Sequence, residues 1–262
     1  MPEDGDVCEA RLGKSRAAKA ALKAQAREQA WRDLDTAKAN LIERERKEQE
    51  NGRRFAGKPI KIPDPEKAQP APKAQRNFTD PESRIQKTAA GFIQGYTAIL
   101  AVDDVAQVIV SQHVTPSAPE VNELLPALAA IERVFGCCPD EVLADAGYWS
   151  EANAEQLAAR GVDAYLARGR MKHGEPAPPP PRGRIPAKLN LAERMQRKLR
   201  TKAGRAIYAR RKAIVEPVNG QIKQARGFRQ FLRRGVERVS QEWSLVCTAH
   251  NLLKLRAAWR PA

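Results

Sequence analysis

The sequence predicts an α/β domain with a mixed sheet, preceded by a helical arm. Three observations carry this reading. Residues 15–50 contain no Pro or Gly and are rich in Ala, Lys, Arg, Glu and Gln, the composition of a long helix. Two β-rich runs, 96–103 and 105–114, flank Asp103-Asp104 and read as an antiparallel hairpin. After them, helical and strand patterns alternate, as in layered α/β domains.

The arm has few large apolar residues (Leu22, Trp31, Leu34, Leu41 and Ile42), so it reads as a charged helix, a hairpin partner or a coiled-coil arm. Gly52 ends it. Residues 57–76 carry Pro59, Pro63, Pro65, Pro70 and Pro72 among lysines and read as an extended linker. The stretch 1–56 is thus a helical arm and 77–257 the main domain. Within that domain, Ser83–Lys87 reads as a polar turn or short extended piece. Pro116–Pro119 breaks the hairpin's second strand. Residues 120–135 place Val121, Leu124, Leu125, Leu128, Ile131 and Val134 at helical spacing, and Gly136 stops that helix.

Residues 141–145 form a short apolar strand ending at Asp145. Ser150 is suited to cap a helix through Arg160, Gly161 ends it, and 163–166 is a last strand. Residues 168–188, with four prolines at 178–181, read as a mobile basic loop. Basic helices follow at 189–202, 206–220 and 236–259.

Composition narrows the function. Lys+Arg number 46 against 31 Asp+Glu, giving a formal net charge of +15. The charge gathers in the last quarter, which favours a nucleic-acid backbone as partner over a merely solvated surface. The four cysteines (Cys8, Cys137, Cys138 and Cys247) lack metal-ligand spacing and read as reduced thiols of a cytoplasmic protein. No signal-peptide run or membrane-span composition occurs. A glycine-rich phosphate loop, a Ser/His/Asp order and a zinc set are also lacking.

Two carboxylates stand in informative contexts. Asp145 ends a buried strand, where α/β sheets place ligands and catalytic groups, although an aspartate there also serves as a cap or turn residue. Glu216 lies in Arg-Arg-Lys-Ala-Ile-Val-Glu-Pro-Val-Asn-Gly, residues 210–220. A glutamate among basic residues is in most proteins a surface ion pair of little worth.

Together, these contexts resemble the DDE-class transposases of bacterial insertion sequences. Ala144-Asp145-Ala146-Gly147-Tyr148 matches that family's second acid and its Gly-Tyr. Tyr208, Arg211, Glu216 and Lys223 match its tyrosine-arginine-glutamate-lysine signature. Six residues separate Glu216 from Lys223, as in the family. Arg211 lies one position further from Glu216 than the family's arginine, and Lys212 holds that place, so both cations are candidates. Arg226-Gly227-Phe228, Phe231 through Gly235, Glu242-Trp243 and His250-Asn251-Leu252 extend the resemblance, which covers roughly residues 77–257.

The resemblance implies a ribonuclease-H-like fold and metal-dependent DNA cleavage and strand transfer. It implies Asp145 and Glu216 as catalytic residues and ligands of two Mg²⁺ or Mn²⁺ ions. A two-ion site activates the nucleophile and stabilises the leaving oxygen of an in-line displacement. Arg211, Lys212, Lys223, Arg226, Arg229, Arg233 and Arg234 are the expected DNA contacts, and Tyr148 and Tyr208 the supporting aromatics. DNA is the expected partner, with a homo-oligomer as a further expectation.

One departure matters. The family uses three acids, the first on a central strand in an Asp-Gly-Thr context, and no such strand is legible here. Asp4-Gly5-Asp6 is the only Asp-Gly, in polar surroundings. The expectation is therefore a truncated transposase, partial or inactive. Asp80 and Asp103 are in-chain candidates for a third ligand and read first as turn residues. The alternative is a non-catalytic DNA-binding remnant or a basic nucleic-acid-binding module.

Overall fold

The computed structural model describes residues 4–54, 58–88, 91–117, 119–169, 178–183, 185–186 and 188–259. The chain divides into two compact units, Met1–Pro81 and Glu82–Ala262.

In the first unit, helix α1 spans Asp4–Asn51. It starts earlier than the helix composition over residues 15–50. Ala30, Leu34 and Ala37 are its buried hydrophobic residues among those described, and charged residues cover most of the rest. Ion pairs one turn apart, such as Arg44–Glu48 at 3.0 Å and Arg46–Glu50 at 3.1 Å, line its surface. Such pairs on a solvated helix face contribute little, because water and salt screen them. The proline segment that follows contains one 3-10 turn, Pro65–Lys67, capped by the Asp64 carboxylate and packed on α1 through the buried Pro65.

The second unit is α/β, but no single mixed sheet runs through its described residues. The strands form three separate two-stranded ladders. Strands β1 (Arg84–Thr88) and β2 (Gly91–Gly95) pair antiparallel, as do β3 (Thr97–Val102) and β4 (Ile109–Thr115). Strands β5 (Glu141–Ala144) and β6 (Asp163–Leu166) pair parallel. At Ser83–Lys87 the structure takes the short extended piece rather than the polar turn, as β1 of the β1–β2 hairpin. Its apolar side chains Phe92 and Ile93 are exposed, so the sequence there has no buried face to betray a strand.

β4 begins at Ile109, later than the expected start at Val105. The cause lies in the turn. The Asp103 carboxylate accepts from the amides of Val105 (3.2 Å) and Ala106 (2.7 Å), and Gln107 takes a left-handed φ of +57°. Both features hold residues 103–108 out of the ladder. Asp103 is thus committed to its turn.

Helix α2 (Leu124–Phe135) ends at Gly136, whose φ of +74° needs a residue without Cβ. Helix α3 (Glu151–Ala159) starts at Ser150, whose hydroxyl accepts from the Asn153 amide at 3.0 Å. α2, α3, β5, β6 and helix α4 (Leu191–Arg200) share one core: Leu124, Leu128, Ala144, Leu157, Val162, Ala164, Leu166 and Met195. Asn190 and Glu193 close a reciprocal capping box at the start of α4.

A second core lies between the β3–β4 hairpin, helix α5 (Lys202–Gly220) and helix α6 (Val236–Ala258). Val218, Ile222, Val239, Trp243 and Cys247 are its buried centre. Phe228 and Phe231 pack on Trp243, with ring centroids 6.3 and 6.1 Å away. Asn251 of α6 holds both backbone groups of Ile109 at 2.8 Å, and Trp243 donates to the Ile99 carbonyl at 3.3 Å.

α5 continues through Pro217 and then widens into a π turn, Gln221–Ala225, closed by the Arg226 amide on the Gln221 carbonyl at 3.1 Å. Proline has no N–H, so the Ala213 carbonyl loses its helical donor. The Gln107 side-chain amide replaces it at 3.0 Å. The loop expected to be mobile at 168–188 lies partly outside the described residues.

Candidate functional site

Asp145 follows the last residue of β5. One carboxylate oxygen, Oδ1, accepts from the Gly147 amide at 2.8 Å and caps the 3-10 turn Ala146–Tyr148. The other, Oδ2, lies 3.9 Å from Nη1 of Arg211, which α5 delivers from far along the chain. The Arg211 guanidinium sits 5.5 Å from the centre of the Tyr208 ring, one turn earlier on the same helix. Asp145 is therefore a capping residue with one oxygen left over, held in the field of a cation. Of the two candidate cations, Arg211 reaches Asp145, while Lys212 is exposed.

A second carboxylate approaches the same loop. A Cβ placed on Gly147 would lie 2.6 Å from Oε2 of Glu120 and 3.3 Å from Oδ1 of Asp145. Both oxygens therefore border the space that glycine leaves open. Asn153 locks this arrangement: its side-chain amide donates to the carbonyls of Val121 (2.7 Å) and Tyr148 (2.9 Å). The Tyr148 hydroxyl is pushed well above its usual pKa, first by burial and then by Glu120, Asp145 and Glu123. Burial also raises Tyr208, with Arg211 opposing and Asp145 adding to the rise. Both phenols therefore stay protonated at physiological pH.

Glu216 is exposed on α5. It is five residues beyond Arg211, which turns it about 140° around the helix from the side chain that meets Asp145. Among the described residues, no group of three or more His, Cys, Asp or Glu side chains is disposed to hold a metal ion.

The remaining basic candidates divide by environment. Lys223, on the π turn, is exposed, as are Arg233 and Arg234. Arg229 is exposed and bonds the Gln224 side chain. Arg226 is half-buried, and its Nη1 has no hydrogen-bond partner. The Glu242 carboxylate holds the loop carrying Arg233, accepting from the amides of Leu232 and Arg233 at 3.1 Å.

Glu120 escaped the sequence reading. It follows a Pro-Ser-Ala-Pro break, and no local pattern marks it as a neighbour of the distant Gly147 loop. Its one indirect signal is Gly147, a glycine for which no positive φ gives the reason.

Residues 184–256 match a family model described as the transposase DDE domain. No curated protein and no solved structure matches the chain. The matched stretch holds Tyr208, Arg211, Glu216, Lys223 and the basic residues through Arg234; Asp145 and Tyr148 precede it. The chain is thus similar to DDE-class transposases over its C-terminal part, as the tyrosine-arginine-glutamate-lysine signature leads one to expect. No helix among the described residues is long and apolar enough to cross a membrane.

Proposed function

We propose that this chain, with its DDE-class transposase stretch, binds DNA as a transposase-derived protein whose own residues do not complete a two-ion site. One observation carries the reading. Arg211 of the family-matched helix α5 meets Asp145 at the end of β5, so the two segments that resemble the family are joined at one place in the fold. The net charge of +15 supports a polyanionic partner. DNA ends of an insertion sequence are the substrate the family resemblance suggests.

The donor set decides the catalytic part. Mg²⁺ and Mn²⁺ are hard ions that take oxygen ligands, and two such ions need several carboxylates on one spot. Here Asp145 is capped on one oxygen and faces a guanidinium with the other. Glu216 points elsewhere on α5, and no three-membered group forms among the described residues. These residues do not fit the ion pair by themselves. A ribonuclease-H-like sheet without its first central strand is consistent with this. The supporting observation is that, among the described residues, β3 and β5 each pair on one side only while α5 packs on both. The central strand that carries the first acid in the family the chain resembles has no counterpart among the described residues.

The test combines DNA binding with metal titration. Wild type and an Asp145→Ala/Glu216→Ala variant are each bound to duplex DNA, and Mg²⁺ or Mn²⁺ is titrated in by calorimetry. The expected result is salt-sensitive DNA binding by both and no metal heat that depends on the two acids. Metal binding lost only in the variant, or strand cleavage by wild type in Mg²⁺, would show that the site is complete. A wild type that fails to bind DNA would remove the functional reading altogether.

A further inference from the structure

The family match and the acids leave one feature unexplained. Three arginines at the junction of α4 and α5 all point into a single stretch of main chain. Arg197 donates to the carbonyls of Arg182 (3.1 Å) and Gly183 (2.7 Å). Arg200 donates to the carbonyl of Pro179 at 3.0 Å, and Arg205 donates to that of Pro178. The acceptors belong to a segment that begins with four consecutive prolines, 178–181.

The chemistry of this contact is unusual for arginine. Among the described residues, no carboxylate pairs with Arg200 or Arg205, and Nε of Arg200 is buried with no hydrogen-bond partner. The neighbouring Lys198 shows what a structural cation looks like here: it pairs with Asp163, bonds the Ala164 carbonyl at 2.8 Å and lies over the Tyr165 ring. Arg200 and Arg205 instead direct a planar, always-charged fork at neutral carbonyl oxygens. Such a bond neutralises nothing, whereas a phosphate accepts two parallel N–H bonds from the same fork and cancels its charge. The proline segment is suited to this occupancy. Its prolines have no N–H to pair elsewhere, and an extended proline chain presents its carbonyls in a row with no internal partner.

We propose that Arg197, Arg200 and Arg205 form a binding face for the phosphate backbone of duplex DNA, and that the chain's own proline segment occupies this face until DNA displaces it. The carbonyls of Pro178, Pro179, Arg182 and Gly183 stand where phosphate oxygens bind. Because the segment is stiff, it holds the arginine forks in an extended, pre-organised row. Because the acceptors it offers are uncharged carbonyls, it yields to a polyanion. The proposal rests on the reading of the chain as a DNA binder and adds a surface separate from Lys223, Arg233 and Arg234.

The test measures affinity for a fluorescently labelled duplex of about 30 base pairs by anisotropy over a salt series, with circular dichroism checking the fold. Four proteins are compared: wild type, Arg197→Ala/Arg200→Ala/Arg205→Ala, Pro178→Gly/Pro179→Gly, and a reference Lys223→Ala/Arg233→Ala/Arg234→Ala. The arginine variant is expected to bind at least about tenfold more weakly. Its log-affinity against log-salt slope should fall by about 2.7, since each phosphate contact contributes about 0.9. The loosened proline segment competes less well, so that variant is expected to bind about threefold more tightly with an unchanged slope. An arginine variant with the wild-type slope overturns the proposal. So does a proline variant that binds no more tightly than wild type, and that second arm decides alone if the arginine variant loses its fold. If only the reference variant loses affinity, DNA binding stands and this face falls; if wild type does not bind, both fall.

Discussion

Gly204 sits in the first turn of α5, buried against the end of α4. A Cβ built there would lie 2.0 Å from the carbonyl oxygen of Lys198, 2.9 Å from its carbon and 3.0 Å from Oγ1 of Thr201. Side-chain flexibility offers no escape, because the nearest atoms are backbone. That backbone is also fixed: the Lys198 carbonyl accepts from the amide (3.2 Å) and hydroxyl (2.8 Å) of Thr201, and the same hydroxyl accepts from the Gly204 amide at 2.9 Å. Two effects compete in Gly204→Ala. Helix propensity favours alanine by about 1 kcal/mol. Overpacking costs about 1–3 kcal/mol, and the displaced threonine cap adds about 1 more. The net expectation is a loss of about 2 kcal/mol, which lowers Tm by about 4–8 °C for a unit of this size. Gly220→Ala is the control. It lies at the end of the same helix with φ −62°, ψ −45° and open space around its Cβ position, so it is expected to gain about 0.5–1 kcal/mol. Thermal and urea unfolding of both variants read the signs directly. An unchanged or raised Tm for Gly204→Ala would refute the packing of the α4–α5 junction, and with it the placement of Arg197, Arg200 and Arg205 on one face.

Three further outcomes can be checked. His250 is fully buried, donates from Nε2 to the Gln107 carbonyl at 2.9 Å, and has Arg226 and Lys254 as its charged neighbours. Burial, with those two cations, holds its folded pKa below 6.5, so the unfolded chain binds the extra proton first. Stability is then complete above about pH 6.5 and falls as pH drops from there through the folded value, and a His250→Gln variant should flatten that limb in urea titrations at stepped pH. In a double-mutant cycle, Gln107→Ala should cost less in a Pro217→Ala background, because the introduced alanine restores the N–H that the Ala213 carbonyl lacks; a coupling of about 0.5–1 kcal/mol is expected, and strict additivity would contradict the substitution of one donor for the other. Burial pushes the Cys247 thiol up to about 12, whereas Cys137 is exposed; alkylation at mildly alkaline pH, read by mass spectrometry, should mark Cys137 and spare Cys247 until the fold opens.

Local signals in the sequence are legible wherever one residue decides the backbone. Ser150, Gly136 and Gly161 bound their helices because a hydroxyl cap and left-handed φ values are short-range requirements. The pairing of β1 with β2 is hidden because Phe92 and Ile93 face solvent, so no burial pattern forms. The division into three ladders is equally hidden, since edge pairing depends on which strands meet in space. At the candidate site, Asp145 and the Tyr208–Arg211–Glu216–Lys223 spacing can be found by eye. The meeting of Arg211 with Asp145 cannot, nor can the approach of Glu120 to Gly147, because both are long-range. Whether Arg211 or Lys212 faces the strand end is a matter of helix phase, which a single-residue shift in spacing leaves undecided until the helix is placed.

The β3–β4 hairpin owes its edges to α6, a helix that enters the chain far later: Ile109 is gripped by Asn251, Gln112 by Ser244 and Ile99 by Trp243. A two-stranded ribbon alone is marginal in water. On a ribosome adding about 5–20 residues per second, the hairpin therefore waits roughly 7–30 s for its closing helix. The β5–α3–β6 segment, whose partners lie within a few tens of residues, can settle first. The nascent chain thus spends much of its synthesis with an open ribbon edge, and the α6 residues from Trp243 to Asn251 mark the point at which that exposure ends.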